Sequence, residues 1–136
     1  MNLVDLQPKG RIVFIGDTHG EYTTSQRIVV NHLKPNTRLV FLGDYVDRGP
    51  ESRENADYLL ELRKKHPRKV YLLQGNHEGY KTKGFLNANF WESLSKSEAN
   101  YYHEEFSKLP SGLLLQGVVE YGCGRGSSLI IILPGS

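Results

Sequence analysis

Three short apolar runs constrain this chain more than any other feature: Arg11-Ile-Val-Phe-Ile15, Arg38-Leu-Val-Phe-Leu42 and Lys69-Val-Tyr-Leu-Leu73. Each opens with a basic residue and continues without polar alternation, which is how strands buried on both faces read. The intervening stretches Thr23 to Leu33 and Glu51 to Lys65 predict helices. The second has Pro50 near its first turn, Glu51 and Glu54 at its start, and Arg63-Lys64-Lys65 at its end. That order of charges complements the helix dipole, and Pro67 stops the helix. Strand, helix, strand, helix, strand implies two βαβ units, hence an α/β fold on a parallel sheet with right-handed crossovers.

The remainder of the 136 residues predicts two helices, roughly Asn87 to Leu94 and Ser97 to Leu109, carrying the aromatics Phe90, Trp91, Tyr101, Tyr102 and Phe106. These aromatics recur at helical spacing and read as core. Leu113 to Leu115, Val118 to Tyr121 and Ser128 to Leu133 read as strands, with Gly122-Cys-Gly-Arg-Gly126 before the last. A hairpin is the simplest arrangement of the final two. The Leu129 to Leu133 run would be aggregation-prone if bare, so it is expected to be paired or buried. The expectation is one domain over residues 1–136: a motif-bearing part at 11–78, a helical part at 87–109 and a divergent tail at 113–136.

Several classes fall away on composition. The formal charge is +2, from 17 Lys+Arg against 15 Asp+Glu, which makes no electrostatic case for nucleic acid or an anionic membrane as partner. Met1 to Lys9 carries Asp5 and no continuous apolar stretch, so it does not resemble a secretion signal. Leu129 to Leu133 is far too short to span a bilayer. A cytoplasmic location is the resulting expectation. The single cysteine, Cys123, excludes an intramolecular disulfide and a thiolate zinc cluster, and has no evident activating partner.

The chemistry gathers at the ends of the three strands. Each run is followed by a glycine and metal-competent polar residues: Gly16-Asp-Thr-His-Gly20, Gly43-Asp-Tyr-Val-Asp-Arg-Gly49 and Gly75-Asn-His-Glu78. In open α/β sheets the functional crevice lies beyond the carboxyl ends of the strands. Neighbouring strands are about 4.8 Å apart, so three such loops converge on one small volume. Aspartate oxygens, an imidazole nitrogen and an asparagine oxygen form a mixed ligand set suited to Mn, Fe or Zn.

These motifs resemble the metallophosphoesterase superfamily, and within it the phosphoprotein (serine/threonine) phosphatase branch. Their spacing agrees, with 27 residues from Asp17 to Asp44 and 32 from Asp44 to Asn76, each room for one crossover. The resemblance implies the N-terminal half of a calcineurin-like fold and a dinuclear metal site that hydrolyses phosphomonoesters by hydroxide attack on phosphorus. It implies Asp17 and His19 as ligands of a first metal, Asp44 as a bridging ligand, and Asn76 as a ligand of the second metal that also touches the phosphate. His77 would be the general acid, Asp47 its orienting partner, and Arg48 a phosphate grip.

That pattern calls for further histidines from a C-terminal half, yet the five here are His19, His32, His66, His77 and His103. The first metal site is therefore expected to be complete and the second to keep only Asp44 and Asn76. His32 and His66 read as helix-end or surface residues, and His103 as a helix-surface residue. Two alternatives accompany the phosphatase expectation. One is a truncated or altered member that binds metal, phosphate or a partner without efficient turnover. The other is a dinucleoside polyphosphate hydrolase. A homo-oligomer could also supply ligands from a second copy.

Overall fold

A computed structural model describes residues 3–7, 9–81, 83–115 and 128–132. Its backbone runs β1 (Leu3–Leu6), β2 (Arg11–Ile15), α1 (Tyr22–His32), β3 (Thr37–Phe41), α2 (Ser52–Lys65), β4 (Val70–Leu72), a 3-10 turn at His77–Gly79, α3 (Asn89–Ser93), α4 (Lys96–Ser107), β5 (Gly112–Leu115) and β6 (Ser128–Ile132). The three expected strands and both crossover helices are present within a residue or two of the expected bounds.

The main sheet has the order β4-β3-β2-β6 and is parallel throughout. The three motif-bearing strands are therefore adjacent. Ser128–Ile132 pairs with Arg11–Ile15 in parallel, so the apolar run near the C-terminus is paired as expected. The hairpin expected between Val118 to Tyr121 and that run involves residues outside the described set, as does Cys123. A second, two-stranded parallel sheet joins β1 to β5, with Leu3 opposite Gly112 and Leu6 opposite Leu115. Strand β1 was not expected from the sequence; its four residues include Asp5 and fall below a recognisable strand pattern.

Side-chain alternation along the strands divides the interior into two layers. Val13, Ile15, Leu39, Phe41, Val70 and Leu72 face α1, α2 and the aromatics Phe90, Trp91, Tyr102 and Phe106. Ile12, Val40 and Leu73 face the other way, against Leu6, Val4 and Leu113 of the small sheet. Leu39, Val40 and Phe41 have no exposed surface, which accounts for the absence of polar alternation in that run. Truncating a side chain such as Phe41 to alanine costs about 3–5 kcal/mol.

Helix α4 is fixed at its start by a capping box: the Glu98 N–H donates to Ser95 Oγ, and the Ser95 N–H donates to the Glu98 carboxylate at 2.9 Å. Arg53 of α2 pairs with Glu98 at 2.6 Å, and the Tyr102 hydroxyl donates to Asp57 at 2.6 Å. These contacts dock α4 on α2. Among the described residues no helix is long and apolar enough to cross a membrane.

Candidate metal centre

The three glycine-led loops are tied together by backbone hydrogen bonds. The Thr18 and His19 N–H groups both donate to the Asp44 carbonyl, at 3.2 and 2.9 Å, and the Gly20 N–H donates to the Tyr45 carbonyl at 2.8 Å. The His77 N–H donates to Asp44 Oδ1 at 2.9 Å. Close approach requires glycine at two points. A Cβ on Gly43 would lie 2.6 Å from Gly75 Cα, and one on Gly75 would lie 2.4 Å from Asp44 Oδ1.

Glu78 acts as a strap across the same junction. Its buried carboxylate accepts the N–H groups of Asp44 at 2.7 Å, Tyr45 at 2.9 Å and Gly75 at 2.8 Å, joining the ends of β3 and β4. Burial pushes its carboxyl up to about 7, against the pull of those three donors. Tyr45 buries its ring beneath and donates its hydroxyl to the Leu73 carbonyl at 2.7 Å. Burial, then the neighbouring Glu78, hold the Tyr45 phenol well above its ordinary range.

This junction is built from strained backbone. His19, Asp44, Asp47 and Arg48 all have positive φ, at 39°, 58°, 71° and 72°. Non-glycine residues held there cost of order 1–3 kcal/mol each, and such residues collect where a side chain must be aimed.

The expected first-metal residues are brought together. One ligand atom from each of Asp17, His19 and Asp44 lies within 4.8 Å of the other two. His19 Nδ1 bonds the Val46 carbonyl at 3.0 Å, so that nitrogen carries the hydrogen and Nε2 keeps its lone pair. His19 Nε2 sits 3.6 Å from Asp17 Oδ2, beyond a hydrogen bond. A carbonyl-oriented imidazole facing two carboxylates fits a divalent cation such as Mn, Fe or Zn.

A second constellation adjoins the first. His77 Nδ1 lies 2.7 Å from Asp47 Oδ2, and the other Asp47 oxygen accepts the Phe90 N–H at 2.7 Å. Asp47 itself is held by its own N–H donating to Ser52 Oγ at 2.9 Å. The His77 ring packs edge-on to that of His19, with centroids 4.8 Å apart. Beside them opens a pocket of about 720 Å³ whose walls include Arg48, Asn76, His77, Lys83, Phe85 and Asn87.

All seven expected site residues thus fall at one end of the sheet. Asp17, His19 and Asp44 form one group, Asp47 and His77 a hydrogen-bonded pair, and Arg48 and Asn76 stand exposed at the pocket beside His77. His32, His66 and His103 lie on or at the ends of helices α1, α2 and α4, as expected. Sequence reasoning assigned no role to Glu78, although it closes the Gly-Asn-His-Glu motif, nor to Asn55, whose buried amide donates to Thr18 Oγ1 and the Tyr45 carbonyl at 2.9 Å each.

Comparison with known proteins agrees with this geometry. Residues 10–133 match the calcineurin-like phosphoesterase family. The chain is 34% identical over 134 residues to the serine/threonine-protein phosphatase PP2A-like PPG1 of Candida albicans, covering 93% of this chain and 31% of that protein. It is 40% identical over 77 residues to a probable serine/threonine-protein phosphatase of Encephalitozoon cuniculi, covering 57% of this chain and 17% of that one. Among solved structures it resembles a serine/threonine phosphatase from Saccharomyces cerevisiae with similarity to human phosphatase PP5. The TM-score there is 0.68 at 28% identity, covering 84% of this chain and 39% of that chain. The chain spans well under half the length of each of these relatives. Family membership implies use of a divalent metal, and Asp17, His19 and Asp44 are a group that can hold one. A parallel sheet with these three loops at its carboxyl edge, matched along nearly its whole length, belongs to the calcineurin-like phosphoesterase family.

Proposed function

We propose that this site hydrolyses phosphomonoesters, with phosphoserine and phosphothreonine side chains of proteins as substrates and Mn as the preferred ion. The observation that carries the reading is the carboxylate–imidazole–carboxylate group of Asp17, His19 and Asp44 placed against the His77–Asp47 pair. The three relatives named above, each described as a serine/threonine phosphatase or a probable one, favour phosphoprotein over dinucleoside polyphosphate as substrate.

Asp17, His19 and Asp44 would hold the metal, with Asn76 offering a further oxygen beside it. A divalent ion in such a site supplies Lewis-acid charge toward phosphoryl oxygens and lowers the pKa of bound water to about 7. His77 uses Nδ1 on Asp47, which leaves Nε2 to carry a proton. As water adds to phosphorus and the ester P–O bond breaks, its electron pair goes to the serine or threonine oxygen. The Nε2 proton of the doubly protonated ring goes to that oxygen, and one proton of the attacking water restores Nε2, leaving inorganic phosphate. The buried Asp47 carboxylate orients the ring and balances its charge. Arg48, exposed at the pocket, presents a planar donor fork suited to phosphate oxygens. Asn76 adds an amide donor from the same wall.

Turnover of an aryl phosphate and of a phosphothreonine peptide with added Mn tests the reading, with His77→Ala as control. Mn-dependent hydrolysis at least tenfold above the control is expected, with the peptide preferred over a dinucleoside tetraphosphate. Turnover equal to the control would overturn it. That result would instead favour metal or phosphate binding without catalysis.

A further inference from the structure

Helix α3 meets the site at three consecutive residues. Asn89 Oδ1 accepts the Arg48 backbone N–H at 2.7 Å, from 41 positions away in sequence. The Phe90 N–H donates to Asp47 Oδ1 at 2.7 Å, across 43 positions. The Trp91 indole Nε1–H donates to the His77 carbonyl at 2.7 Å, across 14 positions. One short helix therefore grips the three residues that the proposed mechanism uses to hold phosphate, to orient the acid and to deliver the proton.

Two properties suggest more than packing. Asp47 and Arg48 both sit in left-handed backbone, at 71° and 72°, so their conformation must be held from outside; Asn89 and Phe90 supply two of the holds, beside Ser52 at the Asp47 N–H. The Trp91 ring is itself immobilised: it stacks on Tyr80 with centroids 5.5 Å apart and planes 18° from parallel, and meets Phe106 edge-on at 5.9 Å. Its N–H therefore has a fixed aim, set by core packing. The His77 ring can place its Nε2 only as well as its backbone is placed. Misplacement of reacting groups by about 1 Å can cost 10²-fold in rate.

We propose that α3 is a positioning element for the site, with Trp91 fixing His77 through its carbonyl and Asn89 fixing Arg48 through its N–H. The kinetic consequence rests on the phosphomonoesterase reading, whereas the geometric one does not. Loss of the Trp91 donor loosens the proton donor and leaves the phosphate grip alone. Loss of the Asn89 acceptor does the reverse.

Two esters separate these effects. Phenoxide is a poor leaving group that needs the proton from His77, whereas p-nitrophenoxide leaves with little help. Trp91→Phe is expected to lower kcat on phenyl phosphate roughly tenfold, and on p-nitrophenyl phosphate less than about twofold, with KM unchanged. Asn89→Ala should raise KM several-fold on both esters and leave their kcat ratio unchanged. Equal kcat losses on both esters in Trp91→Phe, or none, would overturn the proposal. Trp91 is the single tryptophan, so global replacement by its benzothienyl analogue removes the N–H while keeping the ring, should Trp91→Phe fail to fold. A second measurement needs no turnover. The His77 Nδ1–H proton, bonded to Asp47, should exchange with solvent several-fold faster in the Trp91 variants and at the wild-type rate in Asn89→Ala. An unchanged rate in the Trp91 variants overturns the proposal even in an active enzyme. A faster rate in the Trp91 variants, where the wild type hydrolyses neither ester, sustains it while the hydrolase reading fails.

Discussion

His77 Nδ1 lies 2.7 Å from Oδ2 of Asp47, a carboxylate with no exposed surface whose other oxygen is already taken by the Phe90 N–H. Asparagine at position 47 would present an amide NH2 toward one of two donors and remove the charge facing the imidazole. Asp47→Asn is expected to lower kcat by about 10–100-fold with little change in KM, as measured by steady-state hydrolysis of an aryl phosphate. A kcat equal to wild type would remove Asp47 from the proposed route.

Metal dependence should follow the three-residue group. Chelation is expected to abolish turnover and added Mn to restore it. His19→Ala should weaken Mn binding by about 10–100-fold or more in a calorimetric titration, because it removes the one nitrogen among Asp17, His19 and Asp44. Among the described residues Asp44 and Asn76 remain as the proposed ligands of a second ion, so about one tightly held ion per chain of these 136 residues is expected by elemental analysis. Two would contradict the expectation that the second site is incomplete.

Glu78 should matter for stability before it matters for rate. Glu78→Ala strands three N–H donors, those of Asp44, Tyr45 and Gly75, at the joint between β3 and β4. Each unsatisfied buried donor costs about 1–3 kcal/mol, so a loss of about 3 kcal/mol or more is expected from urea unfolding. Glu78→Gln keeps one acceptor oxygen and should lose about half as much. Equal losses in the two variants would mean that side-chain volume, rather than acceptor capacity, is what the position supplies.

The sequence discloses this site to the extent that its chemistry is local to strand ends. Asp17, Asp44 and Asn76 each follow a glycine at the end of an apolar run, directly at Gly16 and Gly43 and one residue on, after Gln74, at Gly75, so their convergence could be reasoned from a parallel sheet alone. What the sequence does not disclose depends on bonds between distant backbone and side-chain atoms. Glu78 reaches Asp44 and Tyr45 across 34 and 33 positions, and Asn89 reaches Arg48 across 41. No periodicity encodes such approaches. Trp91 illustrates a partial success: it was expected in the core and is 4% exposed, but its indole N–H also serves the site. Strand β1 escaped because its only described strand partner is β5, near the other end of the described chain.

Acid should loosen α4 first through Glu98. The Ser95 backbone N–H, then Arg53 and the Ser95 hydroxyl, hold its carboxyl down at about 2 against an ordinary value of 4.5. A lowered folded-state pKa means stabilisation that is present above the ordinary value and fades as pH falls through about 2. Melting temperatures of wild type and Glu98→Gln should therefore differ at pH 6, converge as pH drops below 4.5, and coincide near pH 2. A gap that persists undiminished at pH 2 would assign the effect to packing.

The left-handed backbone at His19, Asp44, Asp47 and Arg48 sets two evolutionary pressures against each other. At each of these positions glycine or asparagine would relieve strain, so a library screened for heat resistance alone should drift toward them. Every such gain would delete one of the proposed roles: a metal ligand at His19 or Asp44, the orienting carboxylate of Asp47 or the phosphate grip of Arg48. Heat-hardened descendants of this chain should thus be recognisable by a sheet that survives boiling beneath a carboxyl edge that no longer does chemistry.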